Sequence, residues 1–141
     1  MNKVKALLLA AGLGTRLSPL TDNWPKCLMP IGNRPLLEYW LGTLYSSGVS
    51  EVLVNLHHHS EKVQEFLNRT RFNEWISSVS EDTLLGTAGT LRANKEYFQG
   101  FTTLLVHADN WCQCDFADFL NYHHNHRPDH CPITMMTFES P

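Results

Sequence analysis

The strongest constraint on this chain lies near its start, where Leu7-Leu8-Leu9-Ala10-Ala11 runs directly into Gly12-Leu13-Gly14-Thr15-Arg16-Leu17. A continuous apolar run is the pattern of a strand buried on both faces of a parallel sheet. Two glycines then break it, and with no Cβ in the way their backbone N–H groups can approach an anion closely. Two cations follow, Arg16 and Lys26, separated by the turn-rich residues Ser18-Pro19, Thr21-Asp22-Asn23 and Pro25. A strand end, a glycine loop and two fixed positive charges make a place for a polyphosphate.

The remaining chain supplies the partners such a strand needs. After a first strand from Val4 to Ala11, Gly12 to Arg34 is expected to be a long loop, because Pro19, Pro25 and Pro30 block regular helix. A loop of that length inside a compact domain is usually functional or mobile. Pro35 suits the first position of a helix to about Ser47, with Leu36, Leu37, Trp40, Leu41 and Leu44 on one face and Gly48 as its stop. Residues 51–56 read as a second strand, and Ser60 as the cap of a second helix to about Asn68. Residues 75–80 form a weaker strand pattern. Gly86-Thr87-Ala88-Gly89-Thr90 opens a third helix carrying Leu91, Ala93, Tyr97 and Phe98, and residues 102–106 are the clearest later strand. That strand leads to His107-Ala108-Asp109, a carboxylate at its carboxyl end. Residues 116–124 are expected to be helical, and Pro132 to Phe138 to be a further strand. Strands alternating with helices predict an α/β fold of the doubly wound, Rossmann-like kind. Its sheet should be mostly parallel, with helices on both faces and ligands at the strands' C-terminal edge.

The totals narrow the function. A length of 141 residues suits one domain with a real core, and 43% hydrophobic with 18% charged residues is ordinary for a soluble protein. A formal net charge of -3 argues against a broad nucleic-acid surface, though not against one small anion site. No window approaches the run of about 18 apolar residues that a membrane span requires. The N-terminus lacks a signal peptide's cleavage region, so a cytoplasmic location is expected, with Cys27, Cys112, Cys114 and Cys131 as reduced thiols. Homo-oligomerisation is left open.

The glycine loop fits neither common phosphate motif. No Gly-x-x-x-x-Gly-Lys-Ser/Thr segment is present, and the third glycine of a dinucleotide fingerprint is replaced by Leu17. A Gly-x-Gly alone is explained as well by a plain tight turn. The longer pattern is more specific: Gly12-Leu13-Gly14-Thr15-Arg16-Leu17-Ser18-Pro19-Leu20-Thr21, then Pro25-Lys26-Cys27-Leu28-Met29-Pro30. It resembles the N-terminal motif of the sugar-1-phosphate nucleotidyltransferases, the nucleotide-sugar pyrophosphorylases. Arg34-Pro35-Leu36-Leu37-Glu38-Tyr39 and Gly86-Thr87-Ala88-Gly89 also suit that family. The likeness covers essentially the whole chain, but only the first part of a family catalytic domain. Residues 1–141 are therefore expected to be the nucleotide-binding part of a single, truncated catalytic domain.

The resemblance implies a nucleotide-diphospho-sugar transferase fold and transfer of a nucleoside monophosphate from an NTP to a sugar 1-phosphate, releasing pyrophosphate. One anion must then attack another, so positioning and electrostatic stabilisation carry the catalysis. On that reading Arg16 clamps the β- and γ-phosphates with its planar fork, and Lys26 sits at the α-phosphate as a point charge. Leu9, Ala11, Gly12, Leu13, Gly14, Thr15, Gly86 and Thr87 line the nucleotide. Asp109 holds a catalytic Mg²⁺, for which a hard carboxylate with waters and phosphate oxygens is suited. A second metal-binding Asp and a sugar-phosphate lysine of the family would lie beyond Pro141.

The resemblance also implies that Glu81 bears on the base, since the thymidylyl branch of the family has a Gln five residues before the motif's glycine, where this chain has Glu81 before Gly86. A carboxylate only accepts hydrogen bonds, which suits guanine N1–H and N2–H₂ better than thymine's mixed edge. With Gly86-Thr87-Ala88-Gly89, this points toward the mannose-1-phosphate guanylyltransferases, with an exposed loop Glu as the plain alternative. Uridylyl, thymidylyl and cytidylyl transfer remain alternatives, as does a non-catalytic nucleotide-sugar-binding module. The histidines of 57–59 and 123–126, with Cys112 and Cys114, are read as structural or solvated rather than as a metal centre.

Overall fold

A computed structural model of the chain describes residues 3–139. The elements fall into two compact units, one running through Trp111 and one from Cys112 onward. The first unit begins with β1 (Val4–Leu9) and a short hairpin of β2 (Pro30–Ile31) and β3 (Arg34–Pro35). There follow α1 (Leu36–Ser46), β4 (Glu51–Leu56), α2 (Ser60–Arg69), β5 (Ile76–Ser80), α3 (Gly86–Ala93), α4 (Lys95–Phe98) and β6 (Thr102–His107).

The central sheet has the order β5-β4-β1-β6, and all three of its pairings are parallel. Parallel sheets need cover on both faces, and β1 has it: every residue from Val4 to Leu8 is buried. The two steps from β1 to β4 to β5 move one way across the sheet. Right-handed crossovers therefore place α1 and α2 on one face. The connection from β5 to β6 steps back past β1, which sends α3 and α4 to the other face. The packing agrees, since Leu7, Leu53 and Phe98 form a buried cluster with Leu9, Leu91, Tyr97 and Leu105 packed against it.

The helix faces follow the sequence pattern. Leu36, Leu37, Trp40, Leu41 and Leu44 of α1 are all buried, each full burial contributing roughly 2 kcal/mol. Gly48 at φ 78 ends the helix, its N–H bonding Tyr45 O at 3.2 Å while Val49 N–H reaches back to Leu44 O at 3.2 Å. That pair of bonds is a Schellman close, and the positive φ favours glycine there. Lys5, a cation inside the apolar first strand, sits at the sheet's N-terminal edge. Its Nζ lies 3.1 Å from Glu51 Oε2 and over the rings of Tyr97 and Phe101, so its burial is compensated.

Several expectations change. β1 ends at Leu9 rather than Ala11, because Ala10 N–H turns to a side chain, Asn55 Oδ1 at 2.8 Å. The N-cap of α2 is His59, at φ 52, with Ser60 as the first helical residue. Pro35 likewise precedes α1 as its N-cap. The expected third helix is broken at Asn94, whose Nδ2 donates to Thr90 O at 2.9 Å. The loop from Gly12 to Arg34 contains no α-helix but holds two 3₁₀ turns, Thr15–Leu17 and Lys26–Leu28.

In the second unit, α5 (Phe116–Asn125) buries Phe116 and Leu120 and is capped by Asp115, whose Oδ1 accepts from Asp118 N–H at 3.0 Å. The strand expected at Pro132 to Phe138 is absent: these residues form no strand, and Ile133, Met135 and Phe138 are exposed. A strand exists only through its ladder, and this apolar segment has no ladder partner among the described residues. No helix among the described residues is long and apolar enough to cross a membrane.

Candidate active site

The strand order creates the site. The sequence of strands reverses between β1 and β6, and at such a switch point the loops leaving the two strands diverge to open a crevice at their carboxyl ends. The register makes the crevice specific. Leu9 pairs with His107, and Ala108 N–H extends the ladder to Leu9 O at 2.9 Å. Asp109 therefore emerges beside the start of the glycine loop. A cleft of about 170 Å³ lies there, lined by Leu9, Ala10, Ala11, Gly12, Lys26 and Cys27 on one side. Asn55, Glu81, Leu84, Gly86, Thr87, Thr90, His107 and Asp109 complete the lining.

Lys26 and Asp109, 83 residues apart in sequence, meet across the cleft with Nζ 2.8 Å from Oδ2. Lys26 opens a 3₁₀ turn that Pro25, in extended conformation, directs inward. The next residue, Cys27, is 2% exposed, and burial pushes its thiol up to about 12, with Asp109 nearby adding to the effect. The thiol is thus kept neutral and adds no negative charge to an anion site.

The two loop glycines do different things. Gly14 has φ 68, and a Cβ there would fall 2.9 Å from Thr21 Cγ2 and 3.2 Å from Lys26 Cβ. Thr21, 2% exposed, fastens the turn by donating its hydroxyl to Gly14 O at 2.7 Å. From the other side, His59 Nε2 lies 3.4 Å from Thr21 O, and Lys62 Nζ donates to Asn23 O. The start of α2 therefore braces the loop. At Gly12, by contrast, a Cβ would meet no protein atom within 4 Å. Its missing side chain leaves open space along the cleft wall.

Glu81 lies just past β5, its N–H bonded to Leu56 O at 2.8 Å. It is 7% exposed, so the plain reading of an exposed loop carboxylate does not hold. Its Oε1 accepts from Thr90 Oγ1 at 2.5 Å and from Asn55 Nδ2 at 3.2 Å, and its Oε2 accepts from Leu85 N–H at 3.3 Å. These neutral donors satisfy a buried anion without cancelling its charge. Gly86, at φ 71, then opens α3 against the cleft.

Of the residues singled out from sequence, Leu9, Ala11, Gly12, Lys26, Glu81, Gly86, Thr87 and Asp109 line this one cleft. Leu13, Gly14, Thr15 and Arg16 do not. Thr15 and Arg16 lie on an exposed 3₁₀ turn, and Arg16 has no hydrogen bond or ion pair among the described residues. Sequence reasoning missed Asn55 and Thr90. Asn55 carried a signal, being a carboxamide within the apolar strand Val52-Leu53-Val54-Asn55-Leu56.

For a divalent cation, Asp109 offers one carboxylate, and no cluster of three or more His, Cys, Asp or Glu side chains among the described residues could form a cage. That donor set fits Mg²⁺, which dehydrates reluctantly and is held by one or two carboxylates with phosphate oxygens and waters. Two of the histidines make side-chain contacts: His57 Nδ1 lies 2.7 Å from Glu81 O, and His123 Nδ1 lies 2.9 Å from Thr134 Oγ1.

Comparison with known proteins bears on this arrangement. The family described as Nucleotidyl transferase matches residues 5–140. A protein of Sulfolobus acidocaldarius named "Putative mannose-1-phosphate guanyltransferase" is 36% identical over 121 residues, covering 85% of this chain and 34% of that protein. The mannose-1-phosphate guanyltransferase of Schizosaccharomyces pombe is 32% identical over 127 residues, covering 87% of this chain and 35% of its own length. Among solved structures, HddC from Yersinia pseudotuberculosis complexed with GMP-PN superposes with a TM-score of 0.75 at 23% identity. That match covers 89% of this chain and 55% of HddC, and it establishes the shared fold. The chain spans about a third of the length of the curated relatives it matches. With nearly every residue matched, and a parallel sheet carrying its glycine loop, lysine and carboxylate at one edge, the chain belongs to the nucleotidyl transferase family.

Proposed function

We propose that residues 1–141 form the nucleotide-binding part of a single catalytic domain. That domain transfers a nucleoside monophosphate from an NTP to a sugar 1-phosphate, with GTP as the nucleotide and mannose 1-phosphate or a related sugar phosphate as acceptor. The observation that carries this reading is the 2.8 Å pairing of Lys26 and Asp109 in the same cleft as Glu81 and Gly86. One end of the cleft has a cation and a carboxylate for a metal-bound triphosphate. The other has a buried carboxylate for a base that donates hydrogen bonds. The guanylyltransferase names of the similar proteins support the choice of GTP.

The acceptor phosphate is already anionic, so no strong general base is required, and charge repulsion is the barrier to be lowered. Lys26 neutralises the α-phosphate and holds nucleophile and nucleotide together. Backbone N–H groups along Gly12 to Thr15 hold the triphosphate, and exposed Arg16 has a free guanidinium to close on its distal phosphates. Mg²⁺, held by Asp109 with phosphate oxygens and water, would screen the phosphate charge when bound. The protein is expected to act in the cytoplasm, without nucleic acid or membrane as partner.

The test is calorimetric titration with GTP, UTP, dTTP and CTP in the presence of Mg²⁺, followed by assay of pyrophosphate release with mannose 1-phosphate. Preferential binding of GTP and release dependent on the sugar phosphate are expected. Preference for a pyrimidine nucleotide overturns the base assignment. GTP binding without release in the full-length enzyme would favour a binding module instead.

A further inference from the structure

Three of the buried polar side chains, Asn55, Glu81 and Thr90, touch one another in the wall of the cleft. Asn55 is the member that faces two ways. Its Oδ1 accepts from Ala10 N–H at 2.8 Å, at the point where β1 becomes the glycine loop. Its Nδ2 donates to Glu81 Oε1 at 3.2 Å and to Thr90 Oγ1 at 3.4 Å. Among the described residues, Oε1 of Glu81 thus takes two side-chain donors, while Oε2 takes the one longer bond from Leu85 N–H. A carboxylate oxygen accepts two or more hydrogen bonds, so Oε2 keeps capacity for a ligand donor.

We propose that Asn55 is a positioning residue for base selection, fixing the Glu81 carboxylate relative to the start of the glycine loop. This rests on the reading of Glu81 as the group that recognises guanine. The position demands a donor toward a carboxylate and an acceptor toward an N–H group on one short side chain, which a carboxamide provides. Aspartate has no donor and sets a second anion against Glu81. Leucine leaves the Ala10 N–H without its side-chain acceptor and removes one of the donors to Glu81 Oε1. One amide, 45 positions from Ala10 and 26 from Glu81, therefore sets the spacing between the groups that hold the base and those that hold the phosphates.

The test compares GTP with ITP, whose base lacks the 2-amino group, by titration in Mg²⁺. The proteins are wild type, Glu81→Gln, Asn55→Asp and Asn55→Ser, with melting temperatures measured alongside. Wild type should favour GTP, and Glu81→Gln should reduce that preference roughly tenfold or more. The two Asn55 variants should reduce it comparably, although neither touches the base. Asn55→Ser, smaller and uncharged, supplies the result if Asn55→Asp does not fold. A preserved GTP-to-ITP ratio in the folded Asn55 variants, with Glu81→Gln altered, overturns the positioning role and leaves the base assignment standing. A preserved ratio in Glu81→Gln overturns the base assignment itself.

Discussion

Lys26 Nζ stands 2.8 Å from Asp109 Oδ2, so the cation proposed for a phosphate and the carboxylate proposed for a metal neutralise each other in the free protein. Both side chains keep contact with solvent, 22% and 34% exposed. At that exposure the pair contributes at most about 1 kcal/mol to stability, and its importance lies in what a ligand gains by separating it. A metal-bound triphosphate offers each partner a new counter-charge.

Lys26→Ala should therefore leave the melting temperature within a few degrees of wild type while lowering nucleotidyl transfer by about 10²–10³-fold. Asp109→Asn should instead raise the Mg²⁺ concentration needed for nucleotide binding. Pyrophosphate release and Mg²⁺-dependent titration read the two effects separately. Equal loss of stability and activity in both variants would mean that the pair is structural.

Alanine at the two loop glycines should separate folding from binding. Gly14→Ala must hold a side chain at φ 68 against Thr21 Cγ2, and should cost about 1–3 kcal/mol of stability. Gly12→Ala meets no protein atom within 4 Å, so stability should be unchanged while the methyl group intrudes on the cleft and weakens NTP binding. Urea unfolding beside nucleotide titration distinguishes the two positions.

Thr21→Val keeps the shape of the side chain but removes the hydroxyl that Gly14 O accepts at 2.7 Å. A loss of about 1 kcal/mol is expected, since Gly14 O loses the hydroxyl and keeps the bond from Leu17 N–H. Because the loop then loosens, KM for the nucleotide should rise more than kcat falls. Thr21→Ser, retaining the hydroxyl, should restore most of the affinity.

Alkaline pH should destabilise the fold through two acids, the buried Cys27 and the half-buried Tyr97. Burial pushes Cys27 from 9.0 to about 12 and Tyr97 from 10.0 to about 12, in the latter with Glu51 adding to the effect. Both groups are neutral in the folded state at pH values where the unfolded chain has already lost the protons. Their contribution is fully present below pH 9 and is lost as pH rises from 9 toward 12. Cys27→Ala should flatten the fall of stability over that range, measured by denaturant unfolding at successive pH values. Cys27 should also resist alkylation at pH 8 while the half-exposed Cys112 and Cys131 react.

The parallel core was legible in the sequence because its signals are local. The run from Val4 to Leu9 and the apolar stripe of α1 state their burial in their own spacing. Lys26 and Asp109 were legible as types of residue, but their meeting depends on β6 passing back beside β1, which no local pattern records. Glu81 looked like a loop residue because its cover comes from Asn55, 26 positions earlier, and Thr90, nine positions later. The segment from Pro132 to Phe138 failed in the opposite sense. It has the composition of a strand, yet pairing is a property of two segments, and its alternation says nothing about a partner.

The reversal of strand order at β1 also has a consequence for how the molecule acquires its ligand. Lys26 and Asp109 become neighbours only when β6, made after β1, β4 and β5, joins the far side of β1. A growing chain that has made the glycine loop and the first three strands of the sheet still lacks the carboxylate. Pairing across such sequence separations is slow, because loop closure must precede any stabilising contact. Nucleotide captured at the cleft would bridge β1 and β6 from above, favouring the finished sheet by mass action. On the proposed function, ligand concentration would then help determine how long β6 stays docked on β1.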